Sequence, residues 1–415
     1  MSSGEVTSAY STKSNHTVFR WARVKWSDRR GRGVSAERLS VLLLLFCCLA
    51  AALCGPAAAA EEEYTPVWDL GANDAVGSVA IARDGSTVVA GAGPVVYLLN
   101  REGDVLWKAA VGSKVNGVGI SPEGSRIGVA ADKLYLFDRE GNLLWTEKTT
   151  YVYHSVALSS NGTYVAAGCD NGAVYLFDRN KKTLWDYDMG TDSYGIAISD
   201  NGRIVAVGCD DQGVYYLNSR QGESWSYGTG KCVKGIALTP DGRFVAAGSY
   251  DRCVYLSTGE GEHLWKYPTR DAVLSTALTN EAREVFAASG KTVFILDRTG
   301  AEIQKIAIDG RVESIAATPD GSFLVVGGGD GDRSIHLFTR DATLFESNNS
   351  GAVVNETAIP ETVTVSPTPT NGSAGPAAEV SAQAEGEEGS ITSQMFGWLE
   401  NILSLLFKPQ DDFLA

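Results

Sequence analysis

Histidine is scarce in this chain, with four in 415 residues, and no CxxC pair occurs anywhere. No zinc motif, P-loop or nucleophile elbow is present either. Those gaps remove the usual sequence signals of structural zinc, nucleotide hydrolysis and serine-type acyl transfer. A basic stripe is missing as well. Net charge is −15; residues 1–40 hold eight Lys/Arg against three Asp/Glu, which leaves about −20 on everything after them. An acidic body lacks the footprint a nucleic acid needs. It suits a soluble exterior whose like charges repel one another.

The basic residues that do cluster have a targeting role. Arg20, Arg23, Lys25, Arg29, Arg30, Arg32 and Arg38 precede the uncharged run Val41–Ala60, and Glu61, Glu62 and Glu63 follow it. A basic flank, an apolar run and an A-x-A end form a secretory signal cleaved near Ala60. The run of 20 residues equally allows an uncleaved membrane anchor. Lipidation at Cys54 is a weaker third reading, because bulky Leu53 stands where a small residue is wanted. Residues 1–60 are thus read as signal or anchor. In either case the positive-inside rule leaves the rest of the chain outside the cytoplasm, secreted or held at the cell surface.

The body is repetitive. Turn glycines fall at Gly85, Gly124, Gly162, Gly202, Gly242 and Gly321, with Ala282 in the sixth place. The steps are 39, 38, 40, 40, 40 and 39 residues, which makes seven copies. Self-similarity at this period is the signature of propeller blades. Each copy opens with a small apolar strand such as GIAIS, then a turn such as SPEG, SSNG or TPDG. Its Gly supplies the positive φ the turn requires. A second strand rich in Ala and Gly (YVAAGC, FVAAGS) suits the crowded inner part of a blade. A third, β-branched and aromatic (AVYLFD, TVFILD), follows, and then an outer strand.

That outer strand carries Trp107, Trp145, Trp185, Trp225 and Trp265, replaced by Gln304 and Phe345 in the last two copies. An indole at an invariant repeat position packs between neighbouring blades. Trp68, in YTPVWDL, has the same signature but stands alone before the first full copy. An orphan outer strand at one chain end is what closure of a ring looks like, since it removes two exposed sheet edges. Gln304 and Ala282 mark the sixth copy as the place to expect distortion or a local partner.

Segments with SPEG or TPDG followed by VAAG resemble WD-repeat propellers, and LFDRNKKTLW and LFDREGNLLW resemble the tryptophan-docking repeats of quinoprotein-like propellers. The resemblance covers about Tyr64 to Ser347 and implies an all-β fold, a seven-bladed propeller of four-stranded blades over residues 64–347. The GH pair of WD repeats is absent, and Trp-Asp occurs only at Trp68–Asp69 and Trp185–Asp186. Function does not follow from such a fold. The resemblance offers one enzymatic reading, a quinone-dependent dehydrogenase. Such enzymes typically have eight blades, a calcium site and a vicinal cysteine pair, whereas the only vicinal pair here, Cys47–Cys48, lies in the apolar run. No catalytic residue, cofactor or metal is therefore assigned. GGGDGDRS, with Asp330 and Asp332, resembles a fragment of a calcium loop without its closing Glu.

Loops joining strand two to three and strand four to the next blade share the face on which propellers usually bind ligands. The residue just ahead of each first strand varies while the framework repeats: Gly77, Asn116, His154, Tyr194, Lys234, Leu274 and Glu313. The candidate binding rim is Tyr151, Tyr153, His154, Asp170, Tyr194, Asp210, Lys234 and Arg252. Cys169, Cys209, Cys232 and Cys253 fall at the same face. In an oxidising compartment they suggest disulfides, with Cys232 in reach of Cys209 or Cys253; buried free thiols are the alternative.

From Asn348 the chain becomes a Ser/Thr/Pro/Ala-rich linker, residues 348–390, with sequons at Asn348, Asn355 and Asn371; a fourth, Asn161, lies in a blade turn. In an exported chain these are candidate glycosylation sites. Residues 391–408 place Ile391, Met395, Trp398, Leu399, Ile402 and Leu406 on one helical face. Glu400, Asn401 and Ser404 make it a poor membrane span, and one basic residue, Lys408, gives little attraction to anionic lipid. This helix is expected to dock on a partner, a second copy or the propeller, or to lie on a bilayer. Taken together, the sequence predicts an exported binding or scaffold propeller with a protein or cell-envelope partner, a quinoprotein-like oxidoreductase being the runner-up and an envelope assembly factor the third reading.

Overall fold

The computed structural model describes residues 63–341 apart from 221, together with 343 and 363–364. The apolar run, the terminal helix and the sequons Asn348, Asn355 and Asn371 lie outside the described residues. Over residues 63–341 the chain is all β apart from two single 3-10 turns, Ser160–Gly162 and Asn280–Ala282. No helix there is long and apolar enough to cross a membrane.

Twenty-eight strands form seven four-stranded antiparallel blades. Blade 3 shows the plan from the channel outward: Tyr153–Leu158, Tyr164–Cys169, Ala173–Asp178 and Thr183–Asp188. The turn between its first two strands places Asn161 and Gly162 at φ 55° and 58°. Asn161 is exposed there, and its backbone N–H donates to the Glu123 carboxylate at 2.7 Å.

The ring closes at the orphan strand. Thr65–Gly71 runs antiparallel to Ser334–Thr339, with Trp68 opposite Leu337, and so becomes the outer strand of blade 7. The packing is closed too. Seven apolar clusters fill the seven gaps between neighbouring blades, and the last joins Val76, Val88 and Leu99 of blade 1 to Phe323, Val325 and Leu337 of blade 7. Each fully buried Val, Leu or Ile in these wedges contributes about 1.5–3 kcal/mol. A blade alone would leave both faces wet.

Around the channel the innermost strands come closer than most side chains permit. A Cβ on Gly195 would lie 2.6 Å from the Lys234 carbonyl oxygen. Where serine stands instead, it stitches blades together: Ser78 accepts from the Val118 N–H at 3.0 Å, Ser275 from Ile315 at 3.1 Å, and Ser314 from Val79 at 3.1 Å. The last of these bonds crosses the seam.

Blade 6 is not distorted. Its strands, Val273–Leu278, Glu284–Ser289, Thr292–Asp297 and Glu302–Ala307, pair as fully as those of its neighbours, and Ala282 takes the glycine conformation at φ 50°. One feature appears within the stretch read as linker: Val363–Thr364 pairs in parallel with Ala109 and Ala110 on the outer edge of blade 1.

Candidate functional site at the channel mouth

In six of the seven blades the innermost strand slips register by one residue near its start, as between Tyr153 and Ser155 or Val233 and Gly235. The residue between, a bulge, has no partner on the second strand, and a bulge re-aims the side chain it carries. Those residues are Gly77, His154, Tyr194, Lys234, Leu274 and Glu313. All six, with Asn116 of blade 2, line a central channel of about 420 Å³. The variable position is thus the one the bulge presents to the channel.

Beside the mouth a second cavity of about 570 Å³ opens between blades 4 and 5. Its walls are Tyr194, Asp210, Lys231, Cys232, Lys234 and Tyr250. Tyr194 and Lys234 belong to both spaces, so channel and groove form one continuous surface. The His154 ring leans on Tyr194 with centroids 4.9 Å apart.

Burial pushes the Tyr194 phenol up to about 12, helped by the Asp192 carboxylate that its hydroxyl donates to at 3.2 Å. Burial likewise raises the Cys232 thiol to about 12, with Asp210 adding to the effect. His154 is lowered, chiefly by burial, although Asp170 and Asp192 pull the other way. At neutral pH the site therefore offers a neutral phenol, a neutral thiol and two lysines beside one another. Those are hydrogen-bond donors and charges for recognition. A thiol held protonated is a poor nucleophile.

The sequence-predicted residues separate into groups. His154, Tyr194 and Lys234 line the channel, and Asp210 joins the latter two in the groove. Tyr151 is exposed, Asp170 accepts from the Val152 N–H at 3.1 Å, and Arg252 holds a turn at φ 68°; none of the three lines either space. Tyr153 is a correction. It is fully buried among Ala130, Leu134 and Val165 between blades 2 and 3. Its repeat partners Val76, Val233, Val273 and Val312 are all fully buried, so aligning the copies marks this as a core position. Lys231 and Tyr250 were missed by sequence reasoning although a signal was there: aligning the copies puts Tyr250 at the position of Asp170 and Asp210, and Lys231 at that of Tyr151.

The disulfide reading also needs correcting. Cys169, Cys209, Cys232 and Cys253 are all free thiols. Cys169, Cys209 and Cys253 pack into three different inter-blade clusters, which separates them, while Cys232 sits in the groove. The Asp332 carboxylate is hydrogen-bonded to His336 Nε2 at 2.7 Å. Among the described residues no group of three or more His, Cys, Asp or Glu is placed to hold a metal ion.

Trp68, Trp107, Trp145, Trp185, Trp225 and Trp265 all stand on outer strands, and five of the six reach across to the next blade.

Fold and cavities together define a seven-bladed propeller with a central channel and an adjoining groove between blades 4 and 5. The chain belongs to the family described as outer membrane protein assembly factor BamB, whose model matches residues 57–207 and 170–319. A repeat described as WD domain, G-beta repeat matches residues 304–339, most of which form blade 7. No curated protein matches the chain. Family and fold support a role in protein interaction or assembly.

Proposed function

We propose that this protein is an exported, envelope- or surface-associated adaptor. It recognises a protein partner with the face that carries the channel mouth. The observation that carries the reading is the sharing of Tyr194 and Lys234 between channel and groove: the variable bulge position and the variable loops converge on one surface. The family description, an assembly factor for outer membrane proteins, supports attachment to an envelope complex. The basic flank and apolar run at residues 20–60 support export.

The reading is non-catalytic. The channel wall offers one carboxylate, Glu313, against Lys114, Lys234 and His154, a donor set poorly matched to calcium. Turnover of an alcohol or sugar with added quinone and calcium would overturn this part.

A photo-crosslinking side chain at position 234 tests the docking face in the organism's own cells. A discrete adduct is expected that disappears with Tyr194→Ala and persists with Asn201→Ala, at the opposite end of blade 4. Equal adducts from position 234 in all three proteins would remove the groove as the docking site.

A further inference from the structure

Among the described residues, six of the seven blades end at their outer strand, and blade 1 alone carries a fifth: Val363–Thr364, laid parallel against Ala109 and Ala110. The tryptophans supply no such edge partner. Trp68, Trp107, Trp145, Trp225 and Trp265 donate their indole N–H to a carbonyl in the third-to-fourth turn of the following blade, that of Arg101, Arg139, Arg179, Gly259 and Arg298, at 2.8–3.0 Å. Those bonds fasten blade to blade and put no strand beside the outer edge.

Exposure follows the added strand. Ala110 and Ala307 are the same residue at the same place, opposite Val95 and Thr292 on the third strands of blades 1 and 6, yet Ala110 is half-buried and Ala307 exposed. Lys108 is half-buried too, whereas its counterparts Lys266 and Lys305 in blades 5 and 6 are exposed. The posture of the lysines does not cause this. Each lies over the ring of the aromatic residue opposite it, Tyr97, Tyr255 or Phe294, at 4.8, 4.9 and 5.2 Å.

The local sequences match on both sides. The outer strands of blades 2, 3 and 5 end on Glu147, Asp188 and Pro268, residues that discourage a further strand. Blade 1 ends on Ala109-Ala110, without charge or proline. Thr362-Val363-Thr364-Val365 is uncharged and wholly β-branched, and it lies between Pro360 and Pro367, which cannot continue a ladder. The direction fits as well. The third strand of blade 7, Ser334–Thr339, ends at the face where outer strands begin, so a chain returning from that face across the edge of neighbouring blade 1 runs parallel to Val105–Ala110. Residues 344–362 are long enough to cross from one blade to the next.

We propose that the outer edge of blade 1 is a strand-binding site for an extended, β-branched segment, and that the chain's own residues 361–366 hold it in cis. An external strand of the same chemistry must displace that segment to bind. The edge lies apart from the channel mouth, and its role stands independently of docking there.

Two alanine amides read the site. The Val111 N–H donates inward to the Pro94 carbonyl at 3.0 Å, and the Ile308 N–H inward to Lys291 at 2.9 Å, so alternation turns the N–H groups of Ala110 and Ala307 outward. The test uses the full chain labelled with ¹⁵N-alanine, the two signals being identified by their loss in Ala110→Ser and Ala307→Ser. Ala110 should exchange its amide hydrogen about ten-fold more slowly than Ala307, as one added hydrogen bond implies. Val363→Pro should remove that difference, whereas Ala352→Pro, outside the segment, should keep it. A peptide of residues 360–367 should move the Ala110 signal of Val363→Pro saturably, and should bind the parent about ten-fold more weakly because the tethered segment competes. Equal exchange at Ala110 and Ala307 in the parent, equal peptide affinity for the two proteins, or no saturable movement would overturn the proposal. Protection of Ala110 that grows with protein concentration would overturn it too, by assigning the strand to a second copy.

Discussion

Gln304 holds both backbone groups of Tyr64. Its Oε1 accepts from the Tyr64 N–H at 2.9 Å, and its Nε2 donates to the Tyr64 carbonyl at 3.1 Å. The glutamine occupies the place where the six other blades carry tryptophan, and the pair explains why. A tryptophan of blade 6 would need the third-to-fourth turn of blade 7. That blade has no such turn, because its outer strand arrives from the other end of the chain. Glutamine grips the arriving strand instead. Tyr64 is buried there, its hydroxyl donating to the Gly321 carbonyl, with Arg340 over its ring and paired to Glu284.

Gln304→Ala should therefore destabilise the propeller by about 1–3 kcal/mol, the sum of two hydrogen bonds at roughly 1 kcal/mol each plus the exposure of their partners. Gln304→Trp, which restores the repeat consensus, should cost at least as much, because its indole has no carbonyl to meet and overlaps Tyr64. Urea unfolding of the three proteins decides this. A tryptophan variant as stable as the parent would refute the account of the seam.

Two turn glycines separate backbone strain from crowding. A Cβ on Gly202, at φ 67°, would lie 2.1 Å from the Tyr164 ring, whereas on Gly124, at φ 69°, its nearest neighbour would be 3.5 Å away. Both Gly→Ala changes should lose about 1 kcal/mol to the left-handed conformation. Gly202→Ala should lose about 1–3 kcal/mol more to overpacking. Equal thermal shifts would show that the Tyr164 ring moves aside freely.

The lowered His154 makes stability depend on pH in a defined direction. Its folded value lies below the ordinary histidine value near 6.5, mainly through burial. Between the folded value and about 6.5 the unfolded chain binds more protons, so stability should fall as pH drops through that window and be fully present above it. Melting temperatures from pH 7.5 to 5.5 should slope less for His154→Asn than for the parent. Identical slopes would place the dependence elsewhere.

Cysteine accessibility gives a fourth check. Burial raises Cys169, Cys209 and Cys232 to about 12, and Cys253 is raised for the same leading reason. Cys232 is half-buried and the other three are buried. Native protein at pH 7.5 should alkylate slowly with iodoacetamide and first at Cys232, the rest reacting only on unfolding. Mass mapping after partial labelling reads the order, and early modification of Cys169 would contradict its placement in the core.

Local chemistry, repeated, is what the amino-acid sequence determined. A forty-residue period, a glycine in six of the seven first turns, and a tryptophan on six of the seven outer strands specify a blade. A lone copy of the outer strand at Trp68 specifies how the ring shuts, because a sheet edge must be paired. The variable residue ahead of each first strand was also legible by comparing copies. Tertiary structure decided what needs neighbours to define it. A one-residue bulge turned His154 toward the channel and Tyr153 into the core, and sequence alternation alone does not reveal a bulge. Packing in separate wedges keeps Cys169, Cys209 and Cys253 apart from one another. Only the arrival of one chain end beside the other gave Gln304 a partner 240 residues away.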